Sequence, residues 1–227
     1  EVLQDMLEAA SRASTCGNMQ LYSLIVTQSR ELREALAPCH FNQPMVTQAP
    51  CVITVCADVH RFSMWCEQRD AEPCYDNFAW FLNGVTDALL AAQNLCVEAE
   101  AHGLGICYLG TTIYTAEEIA RILDLPKGVI PVTTIVVGHP DESPELTDRL
   151  PLDAVVHCEK YHHYTSSEID ELWAEKETSE ETRRLLEENG LPNLAQIFTR
   201  NRYRAEDNLA ISRNYFALLK KQGFFNN

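Results

Sequence analysis

The feature that most constrains the fold is one long helical pattern, which runs over residues 77–102. At 1.5 Å per residue such a helix is about 39 Å long, enough to cross a whole domain. Its apolar stretch, residues 78–97, also contains Asn83, Asp87 and Asn94. Burying those polar side chains in lipid would be costly, so we predict a helix buried in a globular protein rather than a membrane span.

Four runs rich in apolar and β-branched residues predict strands at 21–27, 51–57, 105–109 and 132–138. Shorter helices are predicted between them at 30–37 and 116–123. Gly103 is expected to follow the C-terminus of the long helix, and Thr115 with Glu118 has the spacing of a capping box. This order of elements predicts one α+β domain.

The last third of the chain differs in character. Residues 166–188 are acidic with a helical pattern, 191–198 form a short apolar segment, and 207–221 read as another helix. These segments contain too few apolar residues to fold alone. We therefore predict a core over residues 1–165 and a helical extension, 166–227, that packs on the core or on a partner subunit. Because Glu1 lies inside a helical pattern, we also expect residues to precede it.

The chain of 227 residues has a formal net charge of -15, which disfavours binding to nucleic acid or to anionic membrane surfaces. Its nine cysteines include no C-x-x-C pair. This pattern favours free thiols in a reducing compartment over a disulfide framework or a zinc site. With no signal peptide visible, we expect a cytoplasmic protein.

Motifs for nucleophilic, metal or phosphate chemistry are absent: the sequence has no G-x-S-x-G, H-E-x-x-H, P-loop or kinase motif. His162 and His163 are adjacent, which is more typical of surface or capping histidines than of a metal site. An enzyme without such residues can instead bind a cofactor that carries the reaction itself.

Three polar segments could bind such a cofactor: residues 14–20, 103–112 and 138–151. Each has a simpler interpretation when taken alone. The first is also typical of a turn, the second of a strand end, and Arg149 in the third of a surface salt bridge.

Taken in this order, the segments resemble the nitroreductase family, in particular its larger, NADPH-preferring branch of flavin reductases and oxygen-insensitive nitroreductases. The resemblance covers nearly the whole chain. It runs through residues 14–27, Gln43 within 42–50, 83–88, 103–111, 138–140, 148–151 and 221–224.

The resemblance implies an α+β fold with a central, mostly antiparallel sheet flanked by helices. It also implies a homodimer whose C-terminal extension embraces the partner, and non-covalently bound FMN with no metal. The implied FMN contacts are Ser14, Thr15 and Asn18 along the ribityl-phosphate arm, Gln43 at the isoalloxazine edge, the backbone of Tyr108, Leu109, Gly110 and Thr111 at the N5 and O4 region, and Arg149 at the phosphate.

The chain departs from the family pattern at three places. The family's N-terminal Arg-Ser-x-x-Arg segment is absent, as expected if residues precede Glu1. Thr147 stands where the branch often has lysine, which removes one charge near the phosphate. Gly110-Thr111 replaces a Gly-Gly pair, which narrows the ring pocket.

The implied activity is an FMN-dependent oxidoreductase that passes a hydride from NADPH through FMN N5 to a nitroaromatic, a quinone or free flavin in a ping-pong scheme. Two alternatives stay open: a non-catalytic protein that binds or sequesters flavin, and a specialised dehalogenase or oxidase of the same fold. The sequence does not identify the physiological electron acceptor.

Residues 200–221 carry six basic side chains and two acidic ones. This excess is typical of a solvated, charged helix face. It also suits the 2′-phosphate of NADPH, since clustered guanidinium groups bind phosphate oxygens bidentately. We therefore hypothesise that Arg200, Arg202 or Arg204 selects NADPH over NADH.

Overall fold

The computed structural model describes residues 1–226, and the chain forms two compact units. The first consists of Glu1–Asp141 together with the chain from Ile211 onwards, and the second is Glu142–Ala210. The division at residue 165, with an extension that packs on the core or on a partner, stays a prediction.

A four-stranded sheet lies at the centre of the first unit, with the order β1-β2-β4-β3. Every neighbouring pair is antiparallel, which confirms the predicted sheet. The strands are Tyr22–Thr27 (β1), Cys51–Asp58 (β2), Gly105–Leu109 (β3) and Val129–Gly138 (β4).

Helices account for most of the remaining chain, and none of those in residues 1–226 is long and apolar enough to cross a membrane. They are α1 (Val2–Ser11), α2 (Arg30–Leu36), α3 (Pro44–Gln48), α4 (His60–Glu67), α5 (Phe78–Ala101), α6 (Ala116–Ile122), α7 (Ser166–Thr178), α8 (Glu180–Asn189), α9 (Leu194–Ile197) and α10 (Ala205–Lys221).

The long helix α5 matches its prediction to within one residue at each end. It begins after Asn77, whose side chain accepts a hydrogen bond from the Trp80 amide, as helix N-caps commonly do. Past its C-terminus, Gly103 has a left-handed φ of +70°, which glycine adopts at little cost. Both helix ends are therefore set by local sequence.

Small residues on α5 let it lie close to the sheet. Ala88, Ala91 and Ala92 are buried in a core shared with α1 and with alternate residues of β2 and β4. At Gly84, a Cβ atom would lie 3.1 Å from the Ala57 Cβ, so a larger residue would force the helix or the strand to shift. The small residues of α5 thus serve packing within the chain.

The opposite face of the sheet and its far end are covered by other segments of the first unit. Val46 of α3 packs with Val52 and Leu109 on the opposite face. At the far end, Phe224 is fully buried and its ring lies 5.5 Å from that of Phe81 in α5. The end of the chain therefore belongs to the core of the first unit.

The capping box predicted at Thr115 does not form, so that prediction is wrong. No amide of α6 bonds to the Thr115 side chain. Its hydroxyl instead donates to the Cys39 carbonyl at 2.7 Å, a contact across many residues that the local spacing does not reveal. A capping box does form in the second unit, between Thr165 and Glu168 at the start of α7.

The helix predicted over 166–188 is two helices, α7 and α8. The break falls at Ser179, whose backbone is extended and whose Oγ accepts a hydrogen bond from the Thr182 amide at 3.1 Å. Serine at this position thus ends one helix and caps the next.

Candidate functional site

The loop before β1 is fastened to α5 by one buried carboxylate. Asp87, only 2% exposed, accepts hydrogen bonds from the backbone amides of Cys16 (2.9 Å) and Leu21 (3.1 Å) and from the Thr15 hydroxyl. The Gln20 amide in turn donates to Thr15 Oγ1 at 2.9 Å. The inner polar groups of the loop are therefore satisfied by the protein itself.

The same loop contains three left-handed residues: Gly17 (φ 55°), Asn18 (φ 56°) and Gln20 (φ 48°). Two of these are not glycine, and such strained backbone is often found at ligand sites. Ser14 and Asn18 are exposed on the loop. By contrast the Thr15 hydroxyl is held by Asp87, so Thr15 supports the loop, and its contact with FMN stays a prediction.

A second strained turn leads into α3. Phe41 and Asn42 are both left-handed, with φ of 55° each, directly before Gln43. Gln43 is half-buried, and α3 begins at the next residue, Pro44, which suits the first position of a helix. The turn and the start of α3 therefore fix the backbone position of Gln43.

The end of β3 leaves open space beside the backbone. A Cβ atom on Gly110 would meet no atom within 4 Å. The short 3-10 turn Gly110–Ile113 that follows is anchored by Thr112, whose hydroxyl bonds to the Leu109 carbonyl (2.8 Å) and to Thr134 Oγ1 (2.9 Å). This strand end is thus rigidly held and accessible, as a site for a flat ligand requires.

A buried histidine links the second turn to the strand end. His40 is fully buried, and its Nδ1 lies 2.8 Å from Thr111 Oγ1. Burial lowers the pKa of His40 from 6.5 to about 4, because the charged ring would lose its hydration. With Val46 packed near Leu109, these contacts bring the Gln43 segment and the Leu109–Thr111 segment together.

Sequence reasoning missed Asp87 and His40 as site residues. Asp87 carried one signal, a carboxylate in an otherwise apolar helix, which implies buried hydrogen-bond donors nearby. His40 carried none, since nothing local connects it with Thr111. Among residues 1–226, no hydrogen bond joins the loop held by Asp87 to the cluster around His40.

The second unit contains the arginines that were predicted to bind the phosphates of FMN and NADPH. Arg149 is exposed, and its Nη1 donates to Thr147 Oγ1 (2.7 Å) and to the Asp148 carbonyl (2.8 Å). Lys176 bonds to the Asp148 carboxylate at 2.7 Å and holds its pKa below the ordinary value. In the part of the chain that the structure describes, the guanidinium of Arg149 therefore makes hydrogen bonds only to its own segment.

The three tail arginines differ from one another. Arg204 forms ion pairs with Asp207 (2.7 Å) and Glu206 (3.0 Å). Arg202 lies over the Phe198 ring, with 5.6 Å between guanidinium carbon and ring centre. Arg200 is exposed. Binding of NADPH by any of the three stays a prediction.

Within the described chain, no group of three or more metal-ligating side chains is positioned to hold a metal ion. His162, one of the adjacent pair singled out in the sequence, is exposed and its Nε2 lies 3.0 Å from a Glu168 oxygen.

Comparison with known proteins decides the family. A model of the nitroreductase family matches residues 1–139, more than half of the chain. The chain belongs to the nitroreductase family. The matched region contains the loop held by Asp87, the turn before Gln43 and the end of β3, whereas Arg149 and the tail arginines lie beyond it.

Curated relatives of this nitroreductase-family chain include two with descriptive names. An FMN reductase (NADPH) from Bacillus subtilis (strain 168) is 32% identical over 164 residues, which cover 71% of this chain and 66% of the relative. An NADPH-dependent oxidoreductase from Staphylococcus aureus (strain USA300) is 35% identical over 166 residues, with the same two coverages. The alignments thus span just under two thirds of each relative's length.

Solved structures agree with the family fold. A crystal structure of a protein from Bacteroides fragilis NCTC 9343 is 50% identical, with a TM-score of 0.97 over 99% of this chain and 91% of that one. NfrA2 from B. megaterium is 30% identical, with a TM-score of 0.83 over 100% and 89%. The α+β nitroreductase fold expected from the sequence is therefore confirmed.

Proposed function

We propose that this protein is an FMN-dependent oxidoreductase that uses NADPH as electron donor. The observation that carries the proposal is that the first unit has two strained turns, at Gly17–Gln20 and at Phe41–Asn42, and an accessible strand end at Gly110. These segments contain or directly precede Asn18, Gln43 and Gly110, which the family resemblance assigns to FMN contacts. The names of the B. subtilis and S. aureus relatives support the same cofactor and donor.

The donor groups in the first unit fit a flavin nucleotide. The side chains of Ser14 and Gln43 make no hydrogen bond within residues 1–226, and so remain available to a ligand. The room beside Gly110 suits a flat ring that approaches the backbone closely. Arg149 would add a cation for the phosphate, in keeping with its assigned role.

The chemistry then divides between cofactor and protein. When bound, FMN would supply hydride and two-electron transfer, and in the ping-pong scheme that we propose NADP⁺ leaves before an acceptor binds. The protein needs only to hold and orient the ring, since the cofactor carries the reaction. Asp87 holds the loop that carries Ser14 and Asn18, while Thr112 anchors the backbone beside the ring edge.

The proposed acceptors are nitroaromatics, quinones and free flavin. All three are flat, conjugated molecules that can lie over the same ring face from which NADP⁺ has left. An open site with few polar groups of its own would select for this shape rather than for a particular functional group.

We also propose a homodimer, because α5 presents an apolar face to solvent. Leu82, Leu89, Leu90 and Val97 on this helix are 42–56% exposed, although α5 is otherwise built into the core. Exposed apolar side chains on one side of a helix are typical of a surface that a second subunit covers. Sedimentation should show a dimer at low micromolar concentration, and a folded, flavin-loaded monomer would refute this assembly.

A cytoplasmic setting is proposed from the cysteines. All nine are free thiols, and Cys39, Cys51, Cys56 and Cys96 are buried. Burial raises the pKa of Cys39, Cys51 and Cys96, which keeps these thiols protonated and unreactive. Such usage suits a reducing compartment.

Steady-state NADPH oxidation tests the proposed activity. The FMN-loaded protein should oxidise NADPH slowly alone and faster when a nitroaromatic or a quinone is added. Bound FMN without any turnover would contradict the proposal and favour a flavin-sequestering protein. Turnover only with a halogenated substrate or with oxygen would favour the specialised members of the fold.

A further inference from the structure

His40 stands out because its two ring nitrogens have different surroundings. Nδ1 lies 2.8 Å from Thr111 Oγ1, whereas Nε2 is buried and has no hydrogen-bond partner in the described chain. With its pKa lowered to about 4 by burial, the ring is neutral at neutral pH and carries a single N–H. The position of that one proton decides what Thr111 can do.

Two arrangements of the proton are possible. With the proton on Nε2, a buried N–H would lack an acceptor, and the Thr111 hydroxyl would have to donate to Nδ1. With the proton on Nδ1, the N–H donates to Thr111 Oγ1, and the hydroxyl keeps its own hydrogen for another acceptor. Because buried N–H groups without an acceptor are rare, the surroundings favour the proton on Nδ1.

Thr111 is held from a second side as well. Its carbonyl accepts hydrogen bonds from the Tyr114 amide (3.0 Å) and from Thr115 Oγ1 (3.3 Å). The Thr115 hydroxyl also bonds to the Cys39 carbonyl, next to His40. The turn that carries His40 and the turn that carries Thr111 are thereby tied together at two points.

We propose that His40 is a positioning residue: its Nδ1–H donates to Thr111 Oγ1 and leaves the Thr111 hydroxyl free to donate to the edge of a bound flavin ring. The inference rests on the proposed function, in which residue 111 lies at the N5 and O4 region. The family pattern has a second glycine at this position, and glycine has no hydroxyl. The donor is therefore a feature of this chain and not of the family pattern.

A hydroxyl donor at that edge has a thermodynamic consequence. The flavin ring gains electron density on reduction, and a hydrogen-bond donor stabilises the form that carries more negative charge. The Thr111 hydroxyl should therefore strengthen the binding of reduced FMN relative to oxidised FMN. This ratio of affinities can be measured without any turnover.

The first test reads the histidine proton directly. Nitrogen NMR of the FMN-loaded wild-type protein, labelled in its histidines and assigned through a His40→Gln variant, distinguishes the two tautomers. We expect His40 to carry its proton on Nδ1. A proton on Nε2 would overturn the inference, because the Thr111 hydroxyl would then be committed to the ring.

The second test compares affinities for the two redox forms of FMN. Thr111→Val, which loses the hydroxyl at nearly constant volume, should lower the preference for reduced FMN about tenfold, equivalent to a shift of ~30 mV for a two-electron couple. Thr111→Ser, which keeps the hydroxyl, should retain most of the wild-type preference. An unchanged ratio in Thr111→Val would overturn the inference.

A double variant separates positioning from simple packing. If His40 acts through Thr111, adding His40→Phe to Thr111→Val should shift the ratio no further, whereas independent effects would add and contradict the role. If His40→Phe does not fold, the NMR assignment of the His40 tautomer and the Thr111→Val and Thr111→Ser variants still test the inference. A wild type that binds no FMN would instead overturn the proposed function itself.

Discussion

The predicted flavin contacts fall into two regions built in different ways. In the first unit, the loop at Thr15–Leu21 and the turn at His40 are held by buried side chains, Asp87 and His40 itself, through contacts far apart in sequence. In the second unit, Arg149 is exposed, and within residues 1–226 its side chain bonds only to the residues just before it. The first region is therefore held by buried contacts, whereas the second is held by exposed ones, including the ion pair between Lys176 and Asp148.

Substitutions of the buried residues and of the exposed arginines should therefore have different effects. Substitutions that break the buried contacts should lower the stability of the protein and its hold on FMN together. Substitutions of the exposed arginines should change ligand binding while the free energy of unfolding stays nearly constant.

Replacing Asp87 should have the largest effect. Asp87→Ala leaves the Leu21 and Cys16 amides and the Thr15 hydroxyl without their acceptor, at about 1–3 kcal/mol for each unpaired buried donor. We expect a total loss of at least about 3 kcal/mol in the free energy of unfolding, together with loss of FMN. Urea denaturation with and without FMN measures both.

Glu100→Ala is a matched control for Asp87, because it also removes a carboxylate from α5 but at an exposed position. Its effect should stay within about 0.5 kcal/mol. An Asp87→Ala protein as stable as this control would show that the loop needs no buried acceptor, and the comparison between the two regions would fail.

The buried His40 should make stability depend on pH. Its folded-state pKa of about 4 lies below the unfolded value of 6.5, so the unfolded chain binds the proton first as the pH falls. The stability that neutral His40 contributes is fully present above pH 6.5 and is lost as the pH falls towards about 4, by roughly 3 kcal/mol.

Urea unfolding between pH 7 and about 4 tests this statement. His40→Gln should flatten the fall in stability over that window, because glutamine does not titrate. His139→Gln, at an exposed position, should leave the pH dependence as in the wild type. Equal slopes in the wild type and His40→Gln would mean that His40 titrates normally in the folded protein.

Arg149→Ala should weaken FMN binding by about 1.5–3 kcal/mol, the range for hydrogen bonds to charged groups. Because the side chain is exposed and locally bonded, the free energy of unfolding without FMN should not change measurably. Arg184→Ala, another exposed arginine of the second unit, serves as control for the loss of one charge. Unchanged FMN affinity in Arg149→Ala would remove this residue from the site.

The smallest expected effect concerns the choice of donor. We expect NADPH to be preferred over NADH by at least about tenfold in kcat/KM, equivalent to ~1.4 kcal/mol. Arg200→Ala and Arg202→Ala should reduce that preference more than Arg204→Ala, since Asp207 and Glu206 already neutralise Arg204. Equal use of both donors by the wild type would end this assignment.

Local patterns were enough to predict most of the first unit. Enrichment in apolar and β-branched residues predicted all four strands, and Gly103 marked the C-terminus of α5. The prediction failed where a distant partner competed with a local one, as at Thr115, whose hydroxyl bonds to Cys39 instead of capping α6. It also failed at Ser179, where a single serine divides one helical pattern into two helices.

The same reasoning explains which residues of the candidate site could be proposed from the sequence. Ser14, Asn18 and Gln43 lie in segments with recognisable order along the chain, so resemblance to the family finds them. Asp87 and His40 act through residues about 70 positions away in sequence. Only the folded structure brings such pairs together, and no local periodicity or motif marks them.

Anaerobic titration of the purified protein with NADPH tests whether it is an FMN-dependent oxidoreductase that uses this donor. We predict that FMN is retained through purification, that NADPH removes its visible absorbance in an equimolar reaction, and that a nitroaromatic or quinone then restores it. A protein that binds no FMN, or whose bound FMN stays oxidised in the presence of NADPH, would contradict the account.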